Sequence, residues 1–371
     1  TSPDDEYLRQ LQINEVNNLV QIKIIVEKKK YDADECINDW TIQAANQLQQ
    51  YNESEPLYEA DYTLSNGNST PPVSLEFLHF KTIDVMSTSG HVIKAYDVSS
   101  RTDGLDLLLV PGYLHSHAVY TNILTDRWIH GMHNVYTFDP RGQGGSESPN
   151  ANIGRYGSAE QHADDINSVI NSLGLKNVVL IGHSHGWLHI GDYINKYGQS
   201  NLKGLICING LPEMDVKLFN SIHLGHLTTF AQCVPLCHTD KVNDITNLIQ
   251  YAFINDPGAH FKVLMATDVM SVDKQLRLPI LAHERTNYIS GPYPMWSSVT
   301  LPTLIQWGEH DNVINTRSVK ELYKSIPSSI LKLYNAKHYP FIDDQETFMS
   351  DMRRFLYNLL NSIKKVDNSS Q

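Results

Sequence analysis

Asn177-Val178-Val179-Leu180-Ile181-Gly182-His183-Ser184-His185-Gly186-Trp187 is the stretch on which the reading of the fold turns. An apolar run ends abruptly in Gly-His-Ser-His-Gly, and the residues from Trp187 to Tyr197 are compatible with a helix. The order is strand, tight turn, helix, with Ser184 at the corner. A serine at such a corner takes an unfavourable backbone conformation, and its neighbours two before and two after have no room for a side chain. Gly182 and Gly186 meet that need. The turn lifts the Ser184 hydroxyl out of the backbone and aims the His185 N–H at the place where an oxyanion would form. Alone, Gly-x-Ser-x-Gly is a weak pattern. The strand before it and the helix after it are the context that gives it weight.

Strand-like runs extend to both sides of this stretch. Phe77 to Met86 and His91 to Val98 flank Ser87-Thr-Ser-Gly90 as a hairpin would. Leu105 to Val110, Val135 to Asp139, Val178 to Ile181, Gly204 to Ile208, Thr303 to Trp307 and Ile330 to Tyr334 complete a set of eight. Helical patterns separate the later ones, at Ala159 to Ser172, Trp187 to Tyr197, Thr316 to Ser325 and Gln345 to Ile363. Strands alternating with helices predict an α/β fold, an eight-stranded mostly parallel sheet with helices on both faces. Ligands of such sheets lie at the carboxyl ends of the strands. Residues 211–301 break the rhythm and read as a helical cap inserted between core segments 76–210 and 302–371.

Residues 1–75 read as an N-terminal helical extension and linker. Asn14 to Lys30 carries Val16, Leu19, Val20, Lys23 and Ile24 near one face. A second helix capped by Asp34 repeats Ile37, Trp40, Ala44, Leu48 and Tyr51 at helical spacing. The favoured reading packs this pair on the main domain; the alternative makes it the contact of a homo-oligomer. Glu53 to Val73 is polar and reads as a linker.

The 371 residues are 41% hydrophobic and 19% charged, the composition of a globular chain. The formal charge of −12 disfavours nucleic acid as a partner, and the short Lys28-Lys29-Lys30 run reads as a solvated helix end. No apolar run approaches the ~20 residues of a transmembrane helix. Cys36, Cys207, Cys233 and Cys237 are too few for a disulfide framework. Cys207, in an apolar run, reads as an inert buried thiol. Cys233 and Cys237, with His226 and His238 nearby, fit no standard zinc spacing, so no metal is expected.

Four further motifs follow strand ends. Leu109-Val-Pro-Gly-Tyr-Leu-His-Ser-His117 follows the third strand, and Gly112 lets the chain turn back toward the Ser184 corner. The Tyr113 N–H is then the second oxyanion donor beside that of His185. Thr303-Leu-Ile-Gln-Trp-Gly-Glu-His-Asp311 ends an apolar strand with a carboxylate just beyond it, able to hold the N–H of an imidazole. Leu333-Tyr-Asn-Ala-Lys-His338 follows the last strand and offers the base. Seventeen histidines occur, so His338 gains its weight from position alone. His115 and His117 are placed near the mouth as substrate contacts, at equal weight with a supporting role. Trp187 is a third substrate-side candidate, with packing beneath the corner the stronger reading. Phe138-Asp-Pro-Arg-Gly-Gln-Gly-Gly-Ser146 suggests tight turns, with Asp139 and Arg141 as structural ion-pairing residues.

With these motifs in the order Ser184, Asp311, His338, the chain from about Glu76 to Lys364 resembles the α/β-hydrolase superfamily. That resemblance implies a serine hydrolase acting on an ester, lactone or amide of a small organic substrate through an acyl-enzyme, without a cofactor. Pro111-Gly-Tyr-Leu-His-Ser-His-Ala-Val-Tyr120 and His183-Ser-His-Gly-Trp187 also resemble segments of the cofactor-free dioxygenases that cleave quinolone rings. In that family a histidine matching His115 helps hold the substrate, and the acid follows the sixth strand. This chain has Cys207-Ile-Asn-Gly210 there and keeps its carboxylate at Asp311. The second resemblance implies oxygenation of an N-heteroaromatic ring with His338 as base. A non-enzymatic binding protein on the same fold is a third reading, disfavoured by the complete set of motifs.

Overall fold

The structure, a computed structural model, describes residues 81–99, 102–148, 156, 158–212, 242–274, 276–277, 280, 295–314 and 316–369. The two helices expected in the N-terminal extension lie outside these residues, as do Cys36, Cys233 and Cys237.

Eight strands form one sheet: β1 (Lys81–Met86), β2 (Val92–Asp97), β3 (Asp106–Val110), β4 (Asn134–Phe138), β5 (Val178–His183), β6 (Leu202–Ile208), β7 (Thr303–Gly308) and β8 (Ser329–Tyr334). Their spatial order is β1-β2-β4-β3-β5-β6-β7-β8. The β1–β2 and β2–β4 pairs are antiparallel and every later pair is parallel. The longer helices are α1 (Ala159–Leu173), α2 (His185–Tyr197), α3 (Val242–Tyr251), α4 (Ala259–Ser271), α5 (Thr316–Ser325) and α6 (Gln345–Ser369).

The mostly parallel sheet matches the expectation from alternating strands and helices. Two boundaries differ for one physical reason. β5 runs to His183 because Gly182 and His183 still pair with Cys207 and Ile208 of β6, although the apolar run stops at Ile181. α2 accordingly starts at His185, directly after the corner.

Alternation along the central strands supplies both faces with apolar side chains. Leu107, Leu109, Val179, Ile181, Ile206 and Leu304 join the core that also holds Phe348, Met352 and Leu356 of α6 and Leu264 and Met265 of α4. Leu108, Val110, Leu180, Cys207 and Ile305 join the opposite core, with Ile166 and Val169 of α1, Ile190 of α2 and Leu322 of α5. Cys207 is fully buried, and burial pushes its thiol far above the usual range, which keeps it in the inert neutral form. α1 stops at Gly174, whose left-handed φ of 63° carries the chain out of the helix. In the 211–301 interval the described residues include α3, α4 and a short helix at Met295–Ser298. No helix among the described residues is long and apolar enough to cross a membrane.

Arg141 and Asp165 form a buried two-pronged ion pair, Nη2 to Oδ1 at 2.5 Å and Nε to Oδ2 at 2.6 Å, anchoring the loop after β4 to α1. Arg141→Ala leaves the Asp165 carboxylate buried beside no cation. The variant should lose about 3–5 kcal/mol of stability in denaturant unfolding. A loss below about 1 kcal/mol, the size of an exposed pair, would contradict this assignment.

Candidate active site

Five strand ends bring the site together. After β5, Ser184 sits at φ 53°, ψ −122°, a left-handed conformation rare outside glycine. Backbone bonds hold it there: Ser184 N donates to Ile208 O at 3.0 Å, and Leu211 N donates to Ser184 O at 2.9 Å. A Cβ on Gly186 would lie 2.1 Å from Val110 O, and one on Gly182 would lie 2.9 Å from the Trp187 backbone. Neither position has room for a side chain, as the sequence pattern requires.

The loop after β3 approaches the corner from the side. A Cβ on Gly112 would be 3.0 Å from His183 O and 3.1 Å from Ser184 Cβ. Tyr120 cements the approach: its hydroxyl donates to Val110 O at 2.7 Å and accepts from His183 N at 3.1 Å. Tyr113 and His185, the proposed oxyanion donors, are brought together, with ring centroids 6.4 Å apart and edge-on. His185 opens α2, where the first N–H groups of a helix have no acceptor within the helix.

Asp311 and His338 meet in a buried contact, Nδ1 lying 3.1 Å from Oδ2 and 3.2 Å from Oδ1. The carboxylate also accepts the Val313 and Ile314 N–H groups at 2.8 and 3.1 Å, both on Oδ1. His338 is tied to the corner through its neighbour: its carbonyl lies 3.0 Å from His183 Nε2, and the two rings are 4.8 Å apart. Ser184, half-buried, makes no side-chain hydrogen bond to its own helix, and no hydrogen bond joins it to His338 among the described residues.

The substrate-side candidates separate. His115 is buried beside the corner, its Nε2 2.8 Å from the Tyr339 hydroxyl and its ring stacked 5.9 Å from that of His183. Burial, and then the charge of His338, push His115 down to about 3, so it stays neutral at working pH. His117 does not stand at the mouth. It is fully buried, its Nδ1 is 3.0 Å from Asp139 Oδ1, and its N–H donates to the same oxygen at 2.7 Å. The cause is Asp139, which needs these donors: burial alone would raise its carboxyl, but His117 and the Gly145 N–H hold it below the usual range. Trp187 is likewise fully buried and stacks on Trp296 at 4.6 Å, packing beneath the corner.

Several residues of the site carry no motif signal. Tyr339, adjacent to His338, stacks on Phe253 at 4.6 Å and sets aromatic rings beside the site. Asn209 binds Asp311 from the end of β6. Asp268 of α4 accepts the Ser116 N–H at 2.9 Å and hydroxyl at 2.7 Å, and Tyr113 OH donates to Arg277 O at 2.9 Å. These two contacts fasten the 211–301 segment to the loop that carries Tyr113. Among the described residues, no cluster of His, Cys, Asp or Glu could hold a metal ion.

The sheet order, the strained serine after β5 and the acid–imidazole pair after β7 and β8 define an α/β-hydrolase-fold enzyme. A family model described as serine aminopeptidase, S33 matches residues 105–345, and the chain belongs to that family. An esterase from Exiguobacterium antarcticum superposes with a TM-score of 0.64 at 18% identity, over 75% of this chain and 100% of that one. An esterase from Rhodococcus sp. ECU1013 superposes with a TM-score of 0.61 at 20% identity, over 75% and 99%. A non-heme haloperoxidase from Rhodococcus erythropolis is 23% identical over 232 residues, 60% of this chain and 81% of that protein.

His115 and His183 are held neutral by burial, their pKa values lowered. A histidine whose folded pKa is depressed adds stability above its unfolded value of 6.5, and that stability is lost as the pH falls toward the folded value. His115→Gln keeps a partner for Tyr339 and cannot titrate. Its Tm should fall less than the native Tm between about pH 7 and pH 5, read by thermal scans. Parallel falls in both proteins would contradict the neutral assignment.

Proposed function

We propose that the protein is a serine hydrolase that cleaves an ester, lactone or amide of a small organic substrate through an acyl-enzyme. The observation that carries this reading is the strained Ser184 on the same sheet edge as the Asp311–His338 pair. Ser184 Oγ attacks the substrate carbonyl while His338 takes its proton. The C–O or C–N bond breaks as His338 returns that proton to the leaving group. Water, deprotonated by the same imidazole, then releases the acid and restores Ser184. Asp311 holds His338 through Nδ1 and leaves Nε2 for the proton transfers. The Tyr113 and His185 N–H groups receive the oxyanion, each worth about 3 kcal/mol of barrier in comparable sites.

The chemistry around the corner favours an uncharged acyl group. His115 is neutral, Tyr339, Phe253 and Phe261 are aromatic neighbours, and Tyr339 lies 5.2 Å ring to ring from His338. The carboxylate paired with His338 is Asp311, after β7, rather than a residue of the 207–210 segment, which supports hydrolysis over ring oxygenation.

The test is a panel of p-nitrophenyl esters, lactones and anilides against the native chain and Ser184→Ala, with oxygen uptake on a 3-hydroxy-4-quinolone followed in parallel. Ester turnover that drops by about 10⁴-fold or more in the folded variant is expected. Ester turnover unchanged by the substitution, or oxygen uptake without ester cleavage, would overturn the reading.

A further inference from the structure

Asn209 occupies a position where three loops of the site meet. It follows β6 directly, is fully buried, and has a left-handed φ of 40°, which asparagine tolerates better than other non-glycine residues. Its N–H donates to Gln306 O at 3.0 Å. Its side-chain amide is engaged at both ends. Oδ1 accepts the Gly308 N–H at 3.1 Å, and Nδ2 donates to Asp311 Oδ2 at 2.7 Å and to Lys337 O at 3.2 Å. The orientation of the amide is dictated by these partners: turned over, its oxygen would face a carboxylate oxygen and a carbonyl, and its NH₂ would face an N–H.

We propose that Asn209 is a positioning residue that sets the Asp311–His338 pair, an inference that rests on the hydrolase reading above. Asp311 Oδ2 lies between two donors, Asn209 Nδ2 at 2.7 Å and His338 Nδ1 at 3.1 Å, while Oδ1 is taken by two backbone N–H groups. The amide therefore fixes the carboxylate plane from the side opposite the backbone. Through Lys337 O it also fixes the residue preceding His338. One side chain thus couples the end of β7, which carries the acid, to the loop after β8, which carries the base. It also moderates the acid. Each hydrogen bond to a carboxylate spreads its negative charge, so removing this one leaves more of that charge on the Asp311 oxygens that face the His338 ring.

Two substitutions separate this role from mere packing. Asn209→Leu keeps the branched outline of the side chain, with bulkier ends, and removes every side-chain hydrogen bond. Asn209→Asp keeps the acceptor for Gly308 but restores the donor toward Asp311 only while one of the two carboxyls holds a proton, since adjacent carboxylates cannot both ionise easily.

The measurement is kcat and KM for p-nitrophenyl acetate as a function of pH, with the folded state of each variant checked by thermal unfolding and Ser184→Ala run alongside. Asn209→Leu should lower kcat by about 10- to 100-fold with KM changed less than about threefold, and move the acid limb of the kcat profile to higher pH. Asn209→Asp should be more active than Asn209→Leu at low pH and lose that advantage as the pH rises and the shared proton leaves. A folded Asn209→Leu with native kcat and acid limb, or an Asn209→Asp that tracks Asn209→Leu at every pH, would overturn the inference. If Asn209→Leu does not fold, Asn209→Asp is compared with the native protein instead: a kcat deficit that grows as the pH rises supports the inference, and a profile parallel to the native one at every pH overturns it. Failure of the hydrolase reading looks different: ester turnover then survives in Ser184→Ala whatever residue stands at 209.

Discussion

Ser184 is held at φ 53° by a sheet that leaves it no alternative. Such a conformation costs about 1–3 kcal/mol and persists only where its surroundings over-determine it. Here β5 pairs with β6 through His183, the Ser184 N–H is fixed on Ile208 O, and α2 begins one residue later. Gly182 and Gly186 are the steric conditions of that turn, because the start of α2 lies against Gly182 and the end of β3 lies against Gly186. In the hydrolase we propose, the strain has a chemical use: it presents a hydroxyl beyond the strand end and the start of a helix beneath it, where negative charge is stabilised.

The polar interior around this corner is arranged by charge economy. His115 and His183 stay neutral because burial disfavours their cations, so positive charge is not concentrated beside the His338 imidazole. The carboxylates divide the remaining work. Asp311 faces His338, Asp139 binds His117 beneath the loop after β3, and Asp165 meets Arg141. Asp268 is different: burial pushes its carboxyl up to about 7, and it reaches Ser116 from α4 across the join between the 211–301 segment and the core. The loop bearing Tyr113 is thereby braced from below by Asp139 and from above by Asp268 and Arg277.

What was readable from sequence follows from which signals are local. The Ser184 corner was legible because a strand, two glycines and a helix fall within twenty residues and demand one another sterically. Asp311 and His338 were legible through position, each standing a few residues past an apolar strand. The burial of His117 is not legible because it depends on Asp139, a partner distant in sequence, whereas the packing reading of Trp187 agrees with its stack on Trp296. Asn209 was visible as part of Cys207-Ile-Asn-Gly210, but its role depends on hydrogen bonds to Gly308, Asp311 and Lys337, about a hundred residues on. Tyr339 and Asp268 escaped for the same reason: stacked aromatic rings and a carboxylate facing Ser116 exist only once α3, α4 and the loop after β8 converge.

The central claim is that Ser184 is a hydroxyl made nucleophilic by its setting, and covalent capture tests it without knowledge of the natural substrate. The native protein would be incubated with a fluorophosphonate, digested and mapped by mass spectrometry. One adduct per chain is expected, on the peptide bearing Ser184. Labelling that falls elsewhere, or a Ser184 peptide left unmodified while the protein remains folded, would contradict the account.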